Sequence, residues 1–328
     1  MLAPIVIFSY NRPNHLKRTV ESLAKNPEAK DSEVFIFSDA AKLKAVDPSV
    51  DLSTDEGKKA KAEIEQKNAA NIKAVEEVRA YIDSLDALHY FKKITVIKAE
   101  KNKGLAKSVI TGVDSVINQY GKVIVVEDDS VSSVQFLEFM NKALDFYESF
   151  TDKIWCVGGY AVNINIPSDY PHSFFLSGRS SSFAWATWKD RWQKVDWEVK
   201  NYPEFRKNHK MRKAFNRFGD DRADMLDAQM QHTIDSWAVR FVYSMFCNNL
   251  FAILPTKSLI QTIGRDGSGT HATKVAHDFD VELSDEILNI DFCDVELDER
   301  IIAQQKQYYK RSKLFLMKQY IKRVLMKK

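Results

Sequence analysis

An apolar segment that ends in three consecutive acidic residues constrains this chain more than any other feature. Residues 123–126 read as a buried parallel strand, and Glu127, Asp128 and Asp129 follow directly. Three carboxylates cannot stay in a core without a cationic partner. In open α/β sheets ligands bind at the carboxyl ends of the strands, so the expected cation is a divalent metal that carries a phosphorylated ligand. The alternative is an acidic helix N-terminus capped by Asp129 or Ser130.

The composition is typical of a globular protein with a substantial core. Of the 328 residues, 45% are hydrophobic and 28% are charged, which suits one large α/β domain or two smaller ones. The formal net charge of +3 is too small to indicate nucleic-acid binding. Three separated cysteines predict reduced, structural thiols in a cytoplasmic protein, and these are Cys156, Cys247 and Cys293.

The sequence indicates neither secretion nor a membrane span. The N-terminus has no signal-peptide pattern, and no stretch reaches the roughly 18 apolar residues of a spanning helix. The tail, residues 306–328, contains nine Lys or Arg and no acid. Its apolar residues recur at helical intervals and predict a basic amphipathic helix. This helix would either contact the inner face of the cell membrane or pack on the domain. The apolar stripe consists of Leu314, Met317, Ile321, Val324 and Leu325.

Short β-rich runs alternate with amphipathic helical patterns over the first 130 residues, which is typical of βαβ units. Strands are predicted at residues 4–9, 34–38, 94–98, 123–127, 154–158 and 251–254. Apolar residues recurring at helical intervals predict helices over residues 13–23, 64–85, 105–116, 134–147 and 236–248. The predicted fold class is therefore α/β, with a Rossmann-like, mainly parallel sheet flanked by helices in a single domain.

An arginine and an aspartate follow the first two predicted strands. Arg12 precedes a helix that Pro13 opens, and there a guanidinium and a helix N-terminus both favour an anion such as a nucleotide phosphate. Asp39 follows the second strand, where its carboxylate would be able to accept the imide N–H of a uracil. The alternatives are a surface arginine before a proline and an ordinary turn aspartate.

In their order and spacing, these segments resemble nucleotide-sugar-dependent glycosyltransferases of the GT-A fold. The likeness covers about residues 3–275 and is to bacterial family 2-like sugar transferases and, more distantly, to N-acetylglucosaminyltransferase I. The chain departs from many relatives at Ala40 and Ala41, where they carry Gly-Pro, and at Ala184, where they carry the glycine of Trp-Gly-Trp. The resemblance is carried by residues 4–23 (PIVIFSYNRPNHLKRTVESL), 102–106 (NKGLA), 123–129 (VIVVEDD), 154–160 (IWCVGGY), 185–192 (WATWKDRW) and 266–271 (DGSGTH).

The resemblance implies a donor site and a metal site. Asp129 would bind Mn²⁺ or Mg²⁺, and His271, after a glycine-rich turn, would complete the metal or phosphate site, unless it is a loop histidine in solvent. A metal is needed because glycosyl transfer expels a nucleoside diphosphate, whose growing charge the metal stabilises. The donor- and nucleotide-binding residues that the resemblance implies are Ser9, Arg12, Asp39, Gly104, Glu127 and Asp128.

An inverting transfer also needs a carboxylate that takes the proton of the acceptor hydroxyl. The resemblance implies Asp235, although alignment on Trp237 puts Ser236 at the catalytic position. Asp235 as a plain helix N-cap is the alternative, with Asp224 or Asp227 as substitute bases.

Four tryptophans lie close together in the sequence, and tryptophan faces are good platforms for sugar rings. Trp185 and Trp188 are the candidates for binding the acceptor or sugar. Their spacing of three is also typical of residues that pack in a core.

The resemblance, together with these residues, implies a metal-dependent, inverting hexosyl- or N-acetylhexosaminyltransferase. It would move a sugar, with a UDP-sugar as the expected donor, to a saccharide or lipid-linked acceptor in surface polysaccharide or glycoconjugate synthesis. Residues 1–275 would form the GT-A domain, with a nucleotide-sugar half (1–130) and an acceptor half (131–275), and residues 276–328 a C-terminal extension. The alternatives are a sugar-phosphate nucleotidyltransferase, whose Gly-rich phosphate loop is missing from the first turn, and a non-catalytic carbohydrate-binding protein.

Overall fold

The computed structural model of the chain describes residues 1–264, 266, 281–283 and 286–310. Within this part of the chain, strands and α-helices alternate in the first half, and short helices are inserted in the second. The strands are β1 (Ile5–Ser9), β2 (Glu33–Ser38), β3 (Lys93–Lys98), β4 (Lys122–Glu127), β5 (Ser130–Ser132), β6 (Ile154–Gly158), β7 (Phe174–Ser177), β8 (Ala184–Trp188), β9 (Phe251–Pro255) and β10 (Ile260–Thr262). The helices are α1 (Pro13–Leu23), α2 (Asp55–Ser84), α3 (Leu105–Tyr120), α4 (Phe136–Phe146), α5 (Lys189–Trp192), α6 (Tyr202–Lys207), α7 (His209–Phe215), α8 (Arg222–Met230), α9 (Trp237–Cys247) and α10 (Glu299–Tyr308).

Eight strands form one sheet in the order β3-β2-β1-β4-β8-β6-β9-β7. The first four pair in parallel, as do β6 and β9, whereas β8 runs antiparallel to both β4 and β6. The edge strand β7 is antiparallel to β9. This mainly parallel sheet with flanking helices confirms the predicted fold class. A second, two-stranded sheet joins β5 to β10.

The central strand β1 is buried on both faces, which explains its uninterrupted apolar sequence. Ile5 and Ile7 pack in the core that lies under α1 and α4. Val6 and Phe8 point to the other face and pack in the core under α3 and α9. Alternate residues of one strand therefore contribute to two helix-covered layers.

The helix α2 is long and mostly exposed. It contains 30 residues, and Thr54 caps its N-terminus by accepting a hydrogen bond from the Gly57 N–H at 3.0 Å. Apart from Gly57, its buried residues are Val75, Val78 and Ile82, all in the C-terminal third. Only that third is held by the core.

The winding of the chain reverses between β1 and β4. These strands are parallel neighbours, yet β2 and β3, which separate them in the sequence, both lie on the far side of β1. Such a reversal opens a crevice at the carboxyl ends of the two strands, where α/β proteins bind ligands. The turn after β1 and the acids after β4 both lie at this switch point.

Some elements depart from the sequence patterns. Trp185 and Trp188 have helical spacing but lie on β8, and Trp192 lies on the short helix α5. The two strands β5 and β10 have only three residues each and leave no periodic signal.

No helix in the part of the chain that the structure describes has the length and apolar character needed to span a membrane. The predicted basic tail helix lies outside the described residues from 311 onward, and α10 ends at Tyr308.

Candidate functional site

The acids after β4 form an ion-pair cluster with the turn after β1. Arg12 donates to Asp129 Oδ2 at 2.8 Å and also to Asp128 Oδ1. Thr19 on α1 donates its hydroxyl to the Asp128 carbonyl at 2.8 Å, and the Tyr10 backbone N–H donates to the Asp128 carboxylate. The two acids are therefore fixed at the switch point, which is where the sequence predicts a ligand site.

The cluster is acidic and shielded from water. Burial raises the pKa of Asp128 to about 6 against the opposing attraction of Arg12. Burial, followed by repulsion from Asp129 and Asp128, holds the pKa of Glu127 well above its usual range, and Ser182 donates a hydrogen bond to it. Burial alone would lower the pKa of Arg12, but the two aspartates raise it. One guanidinium thus faces three carboxyl groups, and a further cation would be favoured there.

The second sheet places the backbone of Gly264 directly against this cluster. Because β10 pairs with β5, the Ile263 N–H donates to the Asp129 carbonyl at 2.9 Å. A β-carbon on Gly264 would lie 1.8 Å from Asp129 Oδ2 and 2.7 Å from Arg12 Nη1. Glycine at position 264 is therefore required for the Arg12–Asp129 contact.

The residues present fit a divalent cation at Asp129. Asp129 Oδ1 is buried and, within the described residues, has no hydrogen-bond partner. A buried carboxylate oxygen without a hydrogen-bond partner is well suited to bind a cation. The described residues contain no group of three or more His, Cys, Asp or Glu arranged to hold a metal. Such a site matches the way proteins bind Mg²⁺, with one or two carboxylates and the phosphates of the substrate.

Asp39 supports the segment that leads into α3. Its Oδ1 accepts the Lys103 N–H at 2.9 Å, and its Oδ2 accepts the Gly104 N–H at 3.1 Å and the Asn102 side chain at 3.0 Å. The Asp39 N–H in turn donates to the Ser9 carbonyl at 3.0 Å. Asp39 thus fixes the 102–104 backbone at the carboxyl ends of β1 and β2, and these donors already fill much of its accepting capacity.

Asp235 lies beside this same segment. A β-carbon on Gly104 would be 4.0 Å from Asp235 Oδ2, so the carboxylate faces the N-terminus of α3. Ser236, and not Asp235, caps α9, because the Ser236 hydroxyl accepts the Val239 N–H at 3.3 Å. The exposed Asp235 carboxylate is therefore available to a ligand, which an N-cap would not be.

The two substitute bases both face the partly buried guanidinium of Arg212. Arg212 donates to both oxygens of Asp227 at 2.8 and 2.9 Å, and Tyr202 donates to it at 3.1 Å. Asp224 lies 3.6 Å from the same guanidinium. These contacts hold α7 against α8 and leave Asp235 as the stronger candidate.

The tryptophans predicted to bind sugar are part of the core. Trp185 is 0% exposed and stacks on Trp192, with ring centroids 5.6 Å apart. Trp188 is 2% exposed and donates its indole N–H to the Leu144 carbonyl at 3.0 Å. Protein covers both rings, because β8 is an inner strand of the sheet. This corrects the expectation of a sugar platform at Trp185 and Trp188, and we do not assign them to the acceptor.

The structure brings Arg12, Glu127, Asp128 and Asp129 into one cluster and Asp39, Gly104 and Asp235 into another, with Ser9 between them on β1. Ser9 directs its hydroxyl to the Phe37 carbonyl at 3.3 Å and so supports β2. His271 lies outside the described residues. Sequence reasoning missed Ser182 and Gly264, since their contacts with Glu127 and Asp129 come from segments far away in the chain.

Comparison with known proteins gives likenesses of fold. No protein-family model and no curated protein matches the chain. The mannosyltransferase PcManGT from Pyrobaculum calidifontis, in complex with GDP-Man and Mn²⁺, is 10% identical, with a TM-score of 0.31 over 58% of this chain and 46% of that one. TarS 1–349 from S. aureus is 12% identical, with a TM-score of 0.39 over 81% and 62% of the two chains.

The same TarS fragment in complex with UDP-GlcNAc is 12% identical, with a TM-score of 0.38 over 79% of this chain and 58% of that one. This chain spans less than two thirds of the length of each of these structures. All three TM-scores are below 0.5. At this level of similarity its function is inferred from its own residues.

Proposed function

We propose that the protein is a glycosyltransferase that uses a nucleoside-diphosphate sugar and a divalent metal. The observation that carries this proposal is the Arg12–Asp128–Asp129 cluster at the switch point between β1 and β4. Its buried Asp129 Oδ1, which has no hydrogen-bond partner within the described residues, supports a metal ligand role. Its position supports a nucleotide ligand, because parallel α/β sheets bind nucleotides in such crevices.

Asp129 would hold Mn²⁺ or Mg²⁺, with Asp128 beside it. When bound, the metal would neutralise the diphosphate that leaves during transfer. Glu127 faces the same space, and its raised pKa suits a carboxyl group that donates a hydrogen bond to a sugar or ribose hydroxyl. With the metal on Asp129, Arg12 would be released from one of its two carboxylates and its guanidinium would turn to the phosphates.

Asp235 is the proposed base. In an inverting transfer, the acceptor oxygen forms a bond to the anomeric carbon while the bond from that carbon to the diphosphate breaks. The hydroxyl proton then passes to the Asp235 carboxylate, and the nucleoside diphosphate leaves. The exposed position of Asp235 beside Gly104 supports this role, since Gly104 is held by Asp39 at the donor side.

The remaining assignments extend this proposal. The donor would be a UDP-sugar and the acceptor a saccharide or a lipid-linked saccharide in surface polysaccharide synthesis. Residues 1–130 would bind the donor and residues 131–275 the acceptor. The tail beyond residue 310 would bring the enzyme to the inner face of the cell membrane, as its basic sequence favours.

The test is calorimetric titration of the protein with UDP and with GDP, each with and without Mn²⁺. We expect UDP to bind at least ten times more tightly with the metal than without it. Absence of binding for both nucleotides under both conditions would contradict the proposal.

A second assay separates the reaction classes. Slow, metal-dependent hydrolysis of UDP-sugars would support a transferase. Release of pyrophosphate from a nucleoside triphosphate and a sugar phosphate would instead indicate a nucleotidyltransferase. Neither reaction, together with saccharide binding, would indicate a carbohydrate-binding protein.

A further inference from the structure

Two arginines lie near one carboxylate beside the edge of the large sheet, away from the acid triplet, and one of them pairs with it. Arg179 follows β7 and donates to both oxygens of Asp221, at 2.6 and 2.8 Å. Its guanidinium also lies over the ring of Tyr309, 3.5 Å from the centroid. Arg222 is the next residue after Asp221 and begins α8. The cluster therefore holds two guanidinium groups around a carboxylate that Arg179 already engages on both oxygens.

Among the described residues, no anion pairs with the buried guanidinium of Arg222. The residue is 4% exposed, and within the described residues its Nη2 has no hydrogen-bond partner. Its guanidinium lies over the Phe215 ring, 4.2 Å from the centroid, which offers a weaker contact than an anion does. An uncompensated buried charge is strongly destabilising, so this position calls for an anion.

The electrostatics agree with the geometry. Burial, and then repulsion from Arg179, holds the pKa of Arg222 well below its usual range, while Asp221 opposes the shift. A guanidinium stays protonated in proteins. The lowered pKa therefore means that the surroundings of Arg222 disfavour its positive charge, and not that the side chain is neutral. Arg179 and Asp221 are partly accessible, since their side chains are 15% and 17% exposed, and an anion would approach Arg222 from their side.

The chain connects this cluster to both parts of the candidate active site. From Arg179 it runs three residues, at most about 11 Å, to Ser182, which donates to Glu127. At the other end of α8 it continues from Met230 to Asp235. A group bound beside Arg179 would therefore lie near the segment that reaches Glu127, and α8 leads from Arg222 to the segment that carries Asp235.

We propose that Arg222, with Arg179 beside it, binds an oxyanion, and that this anion is a phosphate group carried by the acceptor. The planar guanidinium fork matches phosphate geometry, and a phosphate would supply the negative charge that Asp221 alone does not. The assignment to the acceptor rests on the proposed glycosyl transfer, whereas the anion site itself does not.

The test is thermal unfolding of the full chain, free of metal, in inorganic phosphate against chloride at matched ionic strength. Binding to the native state alone raises the Tm, by about 2 °C when phosphate is tenfold above its Kd. The main variant is Arg222→Met, which has a similar volume and removes the buried charge. The control is Arg206→Met, which removes an exposed arginine of α6.

We expect phosphate to raise the Tm of the wild type and of Arg206→Met equally, and to leave that of Arg222→Met almost unchanged. In chloride, Arg222→Met should be at least as stable as the wild type, because an unpaired buried charge is gone. An equal phosphate effect in Arg222→Met, or none in the wild type, would overturn the anion site. If Arg222→Met does not fold, Arg222→Lys replaces it and should bind phosphate at least fivefold more weakly than the wild type.

Titration with UDP and Mn²⁺ separates the two proposals. Arg222→Met should bind UDP as the wild type does. A phosphate effect without UDP binding would keep the anion site and reject the acceptor assignment. UDP binding without a phosphate effect would keep the transferase and reject the anion site. If the bound phosphate belongs to an acceptor, ribose 5-phosphate should raise the Tm of the wild type and ribose should not.

Discussion

Asp129 combines one paired and one unpaired oxygen in a buried position. Its Oδ2 receives a hydrogen bond from Arg12, while its Oδ1, within the described residues, receives none. Replacement by alanine removes both oxygens but leaves the strand β4 and the Asp128 contacts in place. Asp129→Ala should therefore keep the fold and lower the metal-dependent affinity for UDP at least 100-fold, measured by calorimetry.

The matched control is Asp145→Ala, which removes an exposed acid paired with Lys122. It should bind UDP as the wild type does. Unchanged metal-dependent affinity in Asp129→Ala would remove this residue from the site.

Arg12 occupies the carboxylates that a metal would use. In the absence of nucleotide, a metal has to compete with its guanidinium for Asp129 and Asp128. Arg12→Ala should therefore bind Mn²⁺ alone more tightly than the wild type, and UDP with Mn²⁺ about tenfold more weakly, because the phosphate contact is lost. Calorimetry with and without UDP measures both. If both affinities fall together, Arg12 supports the metal site instead of competing for it.

Glu127 gives the metal-free protein a distinctive pH dependence. Its pKa in the folded state lies well above the ordinary value of about 4.5, so above about pH 4.5 the native state retains a proton that the unfolded chain has released. This group therefore lowers the free energy of unfolding as the pH rises from about 4.5 through its folded-state pKa. Glutamine does not titrate.

Glu127→Gln should accordingly gain stability relative to the wild type as the pH is raised over that window, measured by urea unfolding. Asp83→Asn, at an exposed acid paired with Lys98, serves as the control. A stability difference between Glu127→Gln and wild type that stays constant with pH would contradict the buried state of Glu127.

At the scale of elements, α2 has two parts of different stability. Residues 58–74 contain no buried side chain and are supported by exposed pairs such as Lys61–Glu65. The C-terminal part packs through Val75, Val78 and Ile82. Because a helical segment of this length without packing is marginal in water, we expect it to open locally.

Hydrogen exchange should show this division within one helix. Amides of residues 58–66 should exchange at least about 100-fold faster than those of residues 75–82. Uniform protection along α2 would contradict this division and would mean that a group outside the core covers its first half.

The elements that the sequence predicts are those with a long apolar repeat or a buried strand. Helices α1 and α3 and strands β1, β2 and β4 carry such patterns, because each packs one stripe or both faces in the core. The strand β8 is missed because Trp185, Trp188 and Trp192 recur at helical intervals although the first two lie on a strand. The helices α6 to α8 are short, and contacts between them such as Arg212–Asp227 leave no signal in the sequence spacing.

The candidate site divides in the same way. Arg12 and the acids are predictable because each directly follows a strand, and parallel strands bring their ends together. The contacts of Gly264 and Ser182 depend on how distant segments return to the site, which no local pattern encodes.

At the scale of the whole molecule, transfer requires contributions from distant parts of the chain. Donor binding would depend on residues up to 129, and proton removal on Asp235. Asp235→Asn should therefore bind UDP with Mn²⁺ as the wild type does, while transfer to an acceptor falls at least 100-fold. The readouts are calorimetry and release of UDP in the presence of acceptor.

Asp145→Asn serves as the control, since that exposed acid pairs with Lys122 at the opposite end of β4 from the site. Full transfer by Asp235→Asn would move the base to another carboxylate.

The pairing of β4 with β8 has a mechanical consequence. Hydrogen-bonded partners run from Lys122–Trp188 to Val126–Ala184, so one continuous sheet crosses from the donor side to the other strands. A continuous hydrogen-bonded sheet is stiff. We therefore do not expect the strands on the donor side of β4 to move as a rigid body relative to β8 and the strands beyond it. Any adjustment to incoming substrates therefore falls to the segments at the carboxyl edge, such as residues 10–12 and 231–236, while the sheet beneath them keeps its shape.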